Sequence, residues 1–144
     1  MSIFIFCIES NRSAAKSLNE IYTLLKDTIK VTVTVYNPDI KQCNSDYLYT
    51  ADGSYIDTIK LKNEEIKWIA VSRDLLKYVN FNDTITLHSD KNQYVNGTYI
   101  VHDIMNRRWT NRIDILSHKD NNNKIGKTID VNTSIVKYNI VKAN

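Results

Sequence analysis

The segment from Ile29 to Tyr36 alternates apolar and polar residues with a period of two. Isoleucine and valine occupy its odd-numbered positions, whereas lysine, threonine and tyrosine occupy the even-numbered ones. Because successive side chains of a strand point to opposite faces, this alternation predicts a half-buried β-strand that ends before Pro38. It is the clearest secondary-structure signal of the chain and favours a β-rich fold.

Further short apolar runs follow this segment at close spacing. The chain has only three glycines and one proline, so its turns must rely on Asn, Asp and Ser, which tolerate left-handed backbone and bond locally. Many short strands separated by such turns indicate a mainly β fold, either a small barrel or a sandwich. The further strands predicted on this basis are 67–72, 84–88, 99–102, 113–116, 128–131 and 134–141.

Two other regions complete the predicted organisation. Residues 3–8 are expected to form a short strand and residues 12–27 an amphipathic helix whose apolar stripe faces the core or a protein partner. Residues 1–30 would thus extend a β domain of residues 31–144. The irregular segment 37–57, which has a turn signal at Asp52-Gly53, is long enough to be functional or to pack as a flap.

Bulk properties narrow the class of protein. The 144 residues suit one domain, and a net charge of +3 gives no reason to expect a nucleic-acid partner. No apolar stretch is long enough for a transmembrane helix, and the chain start lacks the pattern of a signal peptide. Cys7 and Cys43 are either bridged or free thiols. The three histidines show no metal-ligand spacing and no carboxylate pairing, so no metal or other cofactor is expected.

The stretch 98–116 is the most promising place for function. One apolar run ends at Asp103, a basic loop containing Trp109 follows, and a second apolar run contains Asp114. Two buried strands that flank a charged loop are expected to deliver their carboxylates to one rim of the sheet. The ordinary alternative is that aspartates at strand ends bond to the backbone of turns.

With these residues in view, the chain resembles the three-aspartate (3D) domain, a relative of the rare lipoprotein A-like double-psi β-barrel. That barrel also forms the catalytic part of the membrane-bound lytic transglycosylase A family. The resemblance runs from about residue 31 to residue 141. It rests on an ordered set of short motifs, namely 50–53 (TADG), 69–71 (IAV) leading to Asp74, 101–103 (VHD), 112–114 (RID) and 125–127 (IGK).

The resemblance implies a six-stranded double-psi β-barrel with the additional N-terminal strand and helix. It further implies a lytic transglycosylase-like activity on the glycan strand of peptidoglycan, with cleavage between N-acetylmuramic acid and N-acetylglucosamine that leaves a 1,6-anhydro sugar. Asp114 matches the position of the catalytic acid/base, and Asp103 would be its supporting carboxylate. In the general chemistry, one carboxylic acid protonates the leaving oxygen while a second carboxylate stabilises the positive charge on the sugar.

Other residues are candidates for substrate binding. Thr50 and Asp52 would line the groove as polar contacts, or simply form the Asp-Gly turn. Asp74 is either a groove residue or a favourable charge in the first turn of a helix. The remaining candidates belong to the basic loop, where arginine would bind substrate carboxylates and tryptophan would stack on a sugar, or where the charges are solvated and the tryptophan lies in the core: Arg107, Trp109 and Arg112.

Two other functions remain open. The glycine pair of the family's Asp-Thr-Gly-Gly loop is absent here, because Ile104 to Trp109 follow Asp103, and this absence favours a non-catalytic building block of a phage virion or cell envelope. A groove covered by segment 37–57 or by the N-terminal helix would support that role. An open groove with carboxylates turned away would instead support glycan binding without cleavage. The sequence leaves the location of the protein and its oligomeric state open.

Overall fold

The computed structural model describes residues 29–41, 43, 45–121, 128–134 and 136–137, the last two ranges as backbone. The N-terminal strand and helix predicted within residues 1–28 lie outside this part of the chain, and the boundary at residue 30 stays a prediction.

The described chain is mainly β with little helix, as the sequence predicted. Each strand predicted after residue 28 overlaps a strand of the structure, and Asp74 lies in the first turn of a short 3₁₀ helix at Arg73–Lys77. A short helix, α1, was not predicted; it begins after Asp57, whose carboxylate accepts bonds from two backbone N–H groups. The bounds are β1 Lys30–Tyr36, α1 Thr58–Lys62, β2 Trp68–Val71, β3 Thr84–Leu87, β4 Gly97–Ile104, β5 Arg112–Leu116, β6 Thr128–Ser134 and β7 Val136–Lys137.

The strands form one sheet in the order β6-β1-β5-β2-β4-β3-β7. The pairs β1–β5 and β2–β4 are parallel, and the other pairs are antiparallel. The five central strands form a curled half-barrel. Only residue 135 separates β6 from β7, although these strands lie at the two opposite ends of the order.

The inner face of this curled sheet holds the main core. Val33, Ile69, Val101 and Ile113 are all fully buried there and come from four different strands. In β1 the valines at 31 and 33 are buried whereas the threonines between and after them are half-buried, so the predicted alternation is confirmed. The outer face therefore presents the alternate residues of the same strands, and the candidate site lies on that face.

The connection between β4 and β5 crosses the end of β2, because β2 lies between those two strands in the sheet. Ser72, fully buried, holds the far end of this connection: its Oγ accepts a bond from the Arg112 N–H at 2.9 Å, and its own N–H donates to the Arg112 carbonyl at 2.9 Å. Asn111 has a left-handed φ of 51° and donates its N–H to Asp74 Oδ2 at 2.9 Å. Loop 105–111 is thus fixed at its end beside β5.

Part of segment 37–57 forms a small hairpin, which we call the flap hairpin (residues 49–55). Tyr49 and Tyr55 pair across it, and the loop between Thr50 and Ser54 closes with a backbone bond of 3.0 Å. Gly53 has a φ of +85°, the left-handed conformation that a three-residue hairpin loop requires at this position. The turn predicted at Asp52-Gly53 is therefore confirmed.

Candidate functional site

A row of side chains crosses the outer face of the sheet at the same level. Asp114 of β5 is in register with Thr34 of β1 on one side and with Ala70 of β2 on the other, and Ala70 is in register with Asp103 of β4. The two aspartates predicted to share a rim therefore lie in one row, two strands apart. The side chain between them is the small one of Ala70.

A bulge in β4 places Asp103 in this row. Ile69 pairs with Val101 and Ala70 pairs with Asp103, so His102 is the extra residue of β4. Because the side-chain period of a strand is two, an unbulged β4 would turn Asp103 toward the core face that Val101 occupies. The bulge thus brings a carboxylate to the outer face and beside Asp114.

Three members of the row, Asp114, Ala70 and Asp103, form part of the floor of a groove with a volume of about 700 Å³. The groove runs between segment 37–57 on one side and loop 105–111 on the other. Its wall residues come from these two segments, and its floor residues come from β1, β2, β4 and β5. The polar and aromatic residues that line it are Tyr36, Asp46, Tyr47, Tyr49, Thr50, Arg73, Asp103, Asn106, Arg108, Trp109 and Asp114.

Asp114 is the most perturbed carboxyl group of this groove. Burial raises its pKa to about 6 and the negative charge of Asp103 adds to that effect, whereas a hydrogen bond from Thr34 and the charge of Arg112 oppose it. Its Oδ1 atom is buried and has no hydrogen-bond partner among the described residues. Asp114 therefore holds a proton at mildly acidic pH, and one of its oxygens is bound by none of the described residues.

Asp103 is held by three hydrogen bonds from three separate parts of the chain. Its Oδ1 accepts from the backbone N–H of Ala51 in the flap hairpin at 3.0 Å and from that of Ile104 at 2.8 Å. Its Oδ2 accepts from the Tyr36 hydroxyl at 3.0 Å. Every one of these bonds has the carboxylate as acceptor, so they fix the position of a negatively charged group beside Asp114.

A second cluster joins the flap hairpin to β4. Asp52 Oδ2 lies 2.6 Å from Nδ1 of His102, and the His102 ring packs on Trp68 with their centroids 4.2 Å apart. Burial disfavours the charged form of Asp52, but hydrogen bonds from Thr50, His102 and Ser54 outweigh it and lower its pKa to about 2. Ser54 Oγ contacts the same Nδ1 at 3.2 Å, so this set lacks the arrangement of a serine–histidine–aspartate triad, which uses both ring nitrogens.

The basic loop forms one wall of the groove. Trp109 is half-buried and belongs to neither of the hydrophobic clusters, so the alternative that it lies in the core is wrong for this structure. The guanidinium of Arg112 lies 4.1 Å from the centre of the Trp109 ring and that of Arg108 lies 5.0 Å from it. These cation–π contacts orient the indole beside the carboxylates.

The structure brings some of the predicted site residues together and separates others. Asp103, Asp114, Thr50 and Trp109 line the groove. The remaining candidates do not line it: Asp52 bonds to His102, Arg107 is exposed, Arg112 packs on Trp109, and Asp74 bonds to the Asn111 N–H. Burial favours the protonated form of Asp74, but hydrogen bonds from Ser72 and Asn111 outweigh this effect and lower its pKa.

Several residues of the site escaped the sequence analysis. Tyr36, Thr34 and Ala70 belong to it because of sheet register, which no local pattern reveals. The expectation that no histidine pairs with a carboxylate was wrong. His88 and His118 each contact an aspartate two residues later, a spacing visible in the sequence, whereas His102 contacts Asp52 across 50 residues.

Other kinds of site receive no support from the described residues. Within them, no group of three or more His, Cys, Asp or Glu side chains could hold a metal ion. No helix in the same part of the chain has the length and apolar character needed to cross a membrane. Cys43 is a free thiol whose pKa is raised by burial, and its Sγ lies 3.5 Å from the Asn37 carbonyl oxygen.

A scan against protein-family models finds no match to this chain, and a search of curated proteins finds no significant match either. Function must therefore be argued from the groove itself.

Proposed function

We propose that this protein cleaves a glycosidic bond of bacterial cell-wall glycan, with Asp114 as the acid/base and Asp103 as its supporting carboxylate. The observation that supports this most strongly is the pair itself: a half-buried carboxyl group with a pKa raised to about 6, in one row with a carboxylate held by three donors. Most enzymes that cleave a glycosidic bond use two carboxyl groups whose environments differ in this way.

The proposed reaction needs no metal and no organic cofactor. Protonated Asp114 gives its proton to the glycosidic oxygen, the bond from that oxygen to the sugar's anomeric carbon breaks, and positive charge develops on the ring. The fixed charge of Asp103 stabilises this cation. Ionised Asp114 then takes the proton of the sugar's own 6-hydroxyl while the oxygen of that hydroxyl bonds to the anomeric carbon. This step gives a 1,6-anhydro product and restores the acid.

The finer fold assignment belongs to the same proposal. We propose that the curled sheet is a six-stranded double-psi β-barrel of the three-aspartate type, in which β6 and β7 act as one strand. Two features support this assignment: the parallel pairs β1–β5 and β2–β4 flank an antiparallel pair, and β6 and β7 pair with the two ends of the five-stranded half-barrel.

One observation favours a second candidate, a non-catalytic building block of a virion or cell envelope. The flap hairpin donates the Ala51 N–H to Asp103, so this carboxylate also holds segment 37–57 against the sheet. A carboxylate that serves only to accept that bond would need no substrate. Under this alternative the protein has no catalytic activity, and removal of either aspartate changes only its stability or assembly.

The test is a digest of purified peptidoglycan whose soluble products are analysed by mass spectrometry. The parent is compared with Asp114→Asn, and Asp90→Asn serves as a matched control because Asp90 is exposed and lies outside the groove. We expect anhydro-muropeptides from the parent and the control but not from Asp114→Asn. Absence of products from all three folded proteins would overturn the proposal, and binding of the glycan without products would leave a glycan-binding role. Reducing-end products without the anhydro ring would overturn the lytic mechanism.

A further inference from the structure

Tyr36 is a half-buried phenol that contacts Asp103, one member of the carboxylate pair. It lies at the end of β1, two residues after Thr34, and it lines the groove. Its hydroxyl donates to Asp103 Oδ2 at 3.0 Å, a contact across 67 residues of sequence. Burial, the charge of Asp103 and this hydrogen bond raise the pKa of Tyr36 well above its ordinary value, and the charge of Asp114 adds to the effect. The phenol thus remains a hydrogen-bond donor throughout the physiological pH range.

Among the described residues, the charged and titratable groups that interact with Asp114 come from four parts of the chain. Tyr36 approaches from β1, Asp103 from β4 and Arg112 from β5 itself, while the Cys43 thiol interacts from the segment after β1. Of these, Asp103 is the group whose charge favours the protonated form of Asp114. The position of the Asp103 carboxylate therefore influences when Asp114 releases its proton.

The donors of Asp103 divide into two kinds. Its Oδ1 accepts from the backbone N–H groups of Ala51 and Ile104. These donors remain after any substitution of the two residues except a change to proline. Its Oδ2 is bound by the Tyr36 hydroxyl, the one side-chain donor that the described part of the chain supplies. Without that hydroxyl the carboxylate can rotate about its last bond and attract water, which screens its charge from Asp114.

We propose that Tyr36 is a positioning residue that holds the Asp103 carboxylate in the row with Asp114, so that the charge of Asp103 adds to the burial that favours the protonated acid. The link from Tyr36 to Asp114 runs through Asp103 and requires no contact between Tyr36 and substrate. The inference rests on the proposed function for its purpose, but the electrostatic link itself is measurable in the protein without any substrate.

The test is an NMR titration of the Asp114 carboxyl carbon in protein labelled at aspartate, with Asp114→Asn used to assign the signal. Tyr36→Phe keeps the ring and removes only the hydroxyl. We expect its Asp114 midpoint to fall by roughly half a pH unit, because the like charge that raises it is less well held. Tyr78→Phe, which alters an exposed ring outside the groove, should leave the midpoint unchanged. An unchanged or higher midpoint in folded Tyr36→Phe would overturn the proposal.

Asp103→Asn supplies a second, reciprocal test that does not depend on the Tyr36 variant folding. We expect the Tyr36 pKa to fall in Asp103→Asn because both the charge and the hydrogen bond that raise it are weakened. Tyr36→Phe added to Asp103→Asn should then shift Asp114 no further, as a double-mutant cycle requires of a coupled pair. A Tyr36 pKa indifferent to Asp103→Asn would also overturn the proposal. If these titrations behave as expected while peptidoglycan is not cleaved, the positioning contact stands and the proposed function fails.

Discussion

Asp103 and Asp114 lie in one row of the sheet, on either side of Ala70 in the strand between them. Neighbouring strands are separated by about 4.8 Å, so the two Cα positions are roughly 10 Å apart. The intervening side chain is a single methyl group, which lines the groove but is only 4% exposed, so the space between the two carboxyl groups is narrow. A sugar ring laid over Ala70 would then have one carboxyl group on each side.

Enlarging Ala70 should close this space. Ala70→Leu places a branched side chain between the two carboxyl groups, and we expect glycan cleavage to fall roughly 100-fold because productive placement of a substrate is lost. The variant should still fold, at a cost of about 1–3 kcal/mol for overpacking a site that is only 4% exposed. Cleavage assays and urea unfolding measure the two effects.

Ala70→Gly is the matched control for that experiment. It keeps the space open and costs about 1 kcal/mol because glycine weakens a strand. Activity within a few-fold of the parent is expected. Equal loss of activity in both variants would show that stability, rather than the open space, controls cleavage.

The raised pKa of Asp114 predicts how stability depends on pH. Its folded-state value of about 6 exceeds the ordinary value of about 3.9, so the unfolded state binds fewer protons between these two pH values. The stabilising contribution of Asp114 is complete below pH 4 and is lost as the pH rises through about 6. This loss amounts to at most about 3 kcal/mol.

Asp114→Asn removes the carboxyl group whose ionisation destabilises the folded state as the pH rises. We expect the variant to gain stability relative to the parent as the pH is raised from 4 to 8, which unfolding in urea at a series of pH values would measure. A difference in unfolding free energy that does not change across this range would contradict the raised pKa.

The strands of this fold could be predicted because their causes are local. Alternation in β1 and apolar runs elsewhere place strands in the sequence without any knowledge of pairing. Helix α1 was missed because its five residues are too few to show a period, and its start depends on the carboxylate of Asp57. The order of strands, the two parallel pairs and the bulge at His102 depend on distant contacts, so no local pattern predicts them.

The flap hairpin should depend on the Asp52–His102 contact. The pKa of Asp52 is lowered to about 2 from an ordinary value of about 3.9, so this group stabilises the fold above pH 4 and the contribution is lost as the pH falls through about 2. Asp52→Asn is expected to cost roughly 1–2 kcal/mol at pH 7 in urea unfolding, since the contact is largely buried.

Asp90→Asn offers a close comparison because Asp90 also contacts a histidine, His88, but with the aspartate side chain 95% exposed. We expect a cost below about 0.5 kcal/mol for this solvated pair. Equal costs for the two substitutions would show that burial of the Asp52 contact contributes nothing.

Of the residues predicted for the site, Asp103, Asp114, Thr50 and Trp109 line the groove. Asp103 and Asp114 stand out because each interrupts an apolar run, and Trp109 because it interrupts a basic loop. Nothing near Tyr36 distinguishes it from the other tyrosines of the chain, and its partner lies 67 residues away. Asp52 was proposed as a groove residue, yet the structure turns it to a histidine that the sequence had no reason to pair with it.

The most direct test of the central claim is the pH dependence of kcat/KM for glycan cleavage by the parent protein. Because Asp114 must begin the reaction protonated, kcat/KM should fall about tenfold per pH unit above a midpoint of about 6. The midpoint should move to lower pH in Asp103→Asn, in which a neighbouring charge that raises the pKa of Asp114 is absent. A kcat/KM that stays constant from pH 5 to pH 8 would contradict the assignment of Asp114 as the acid.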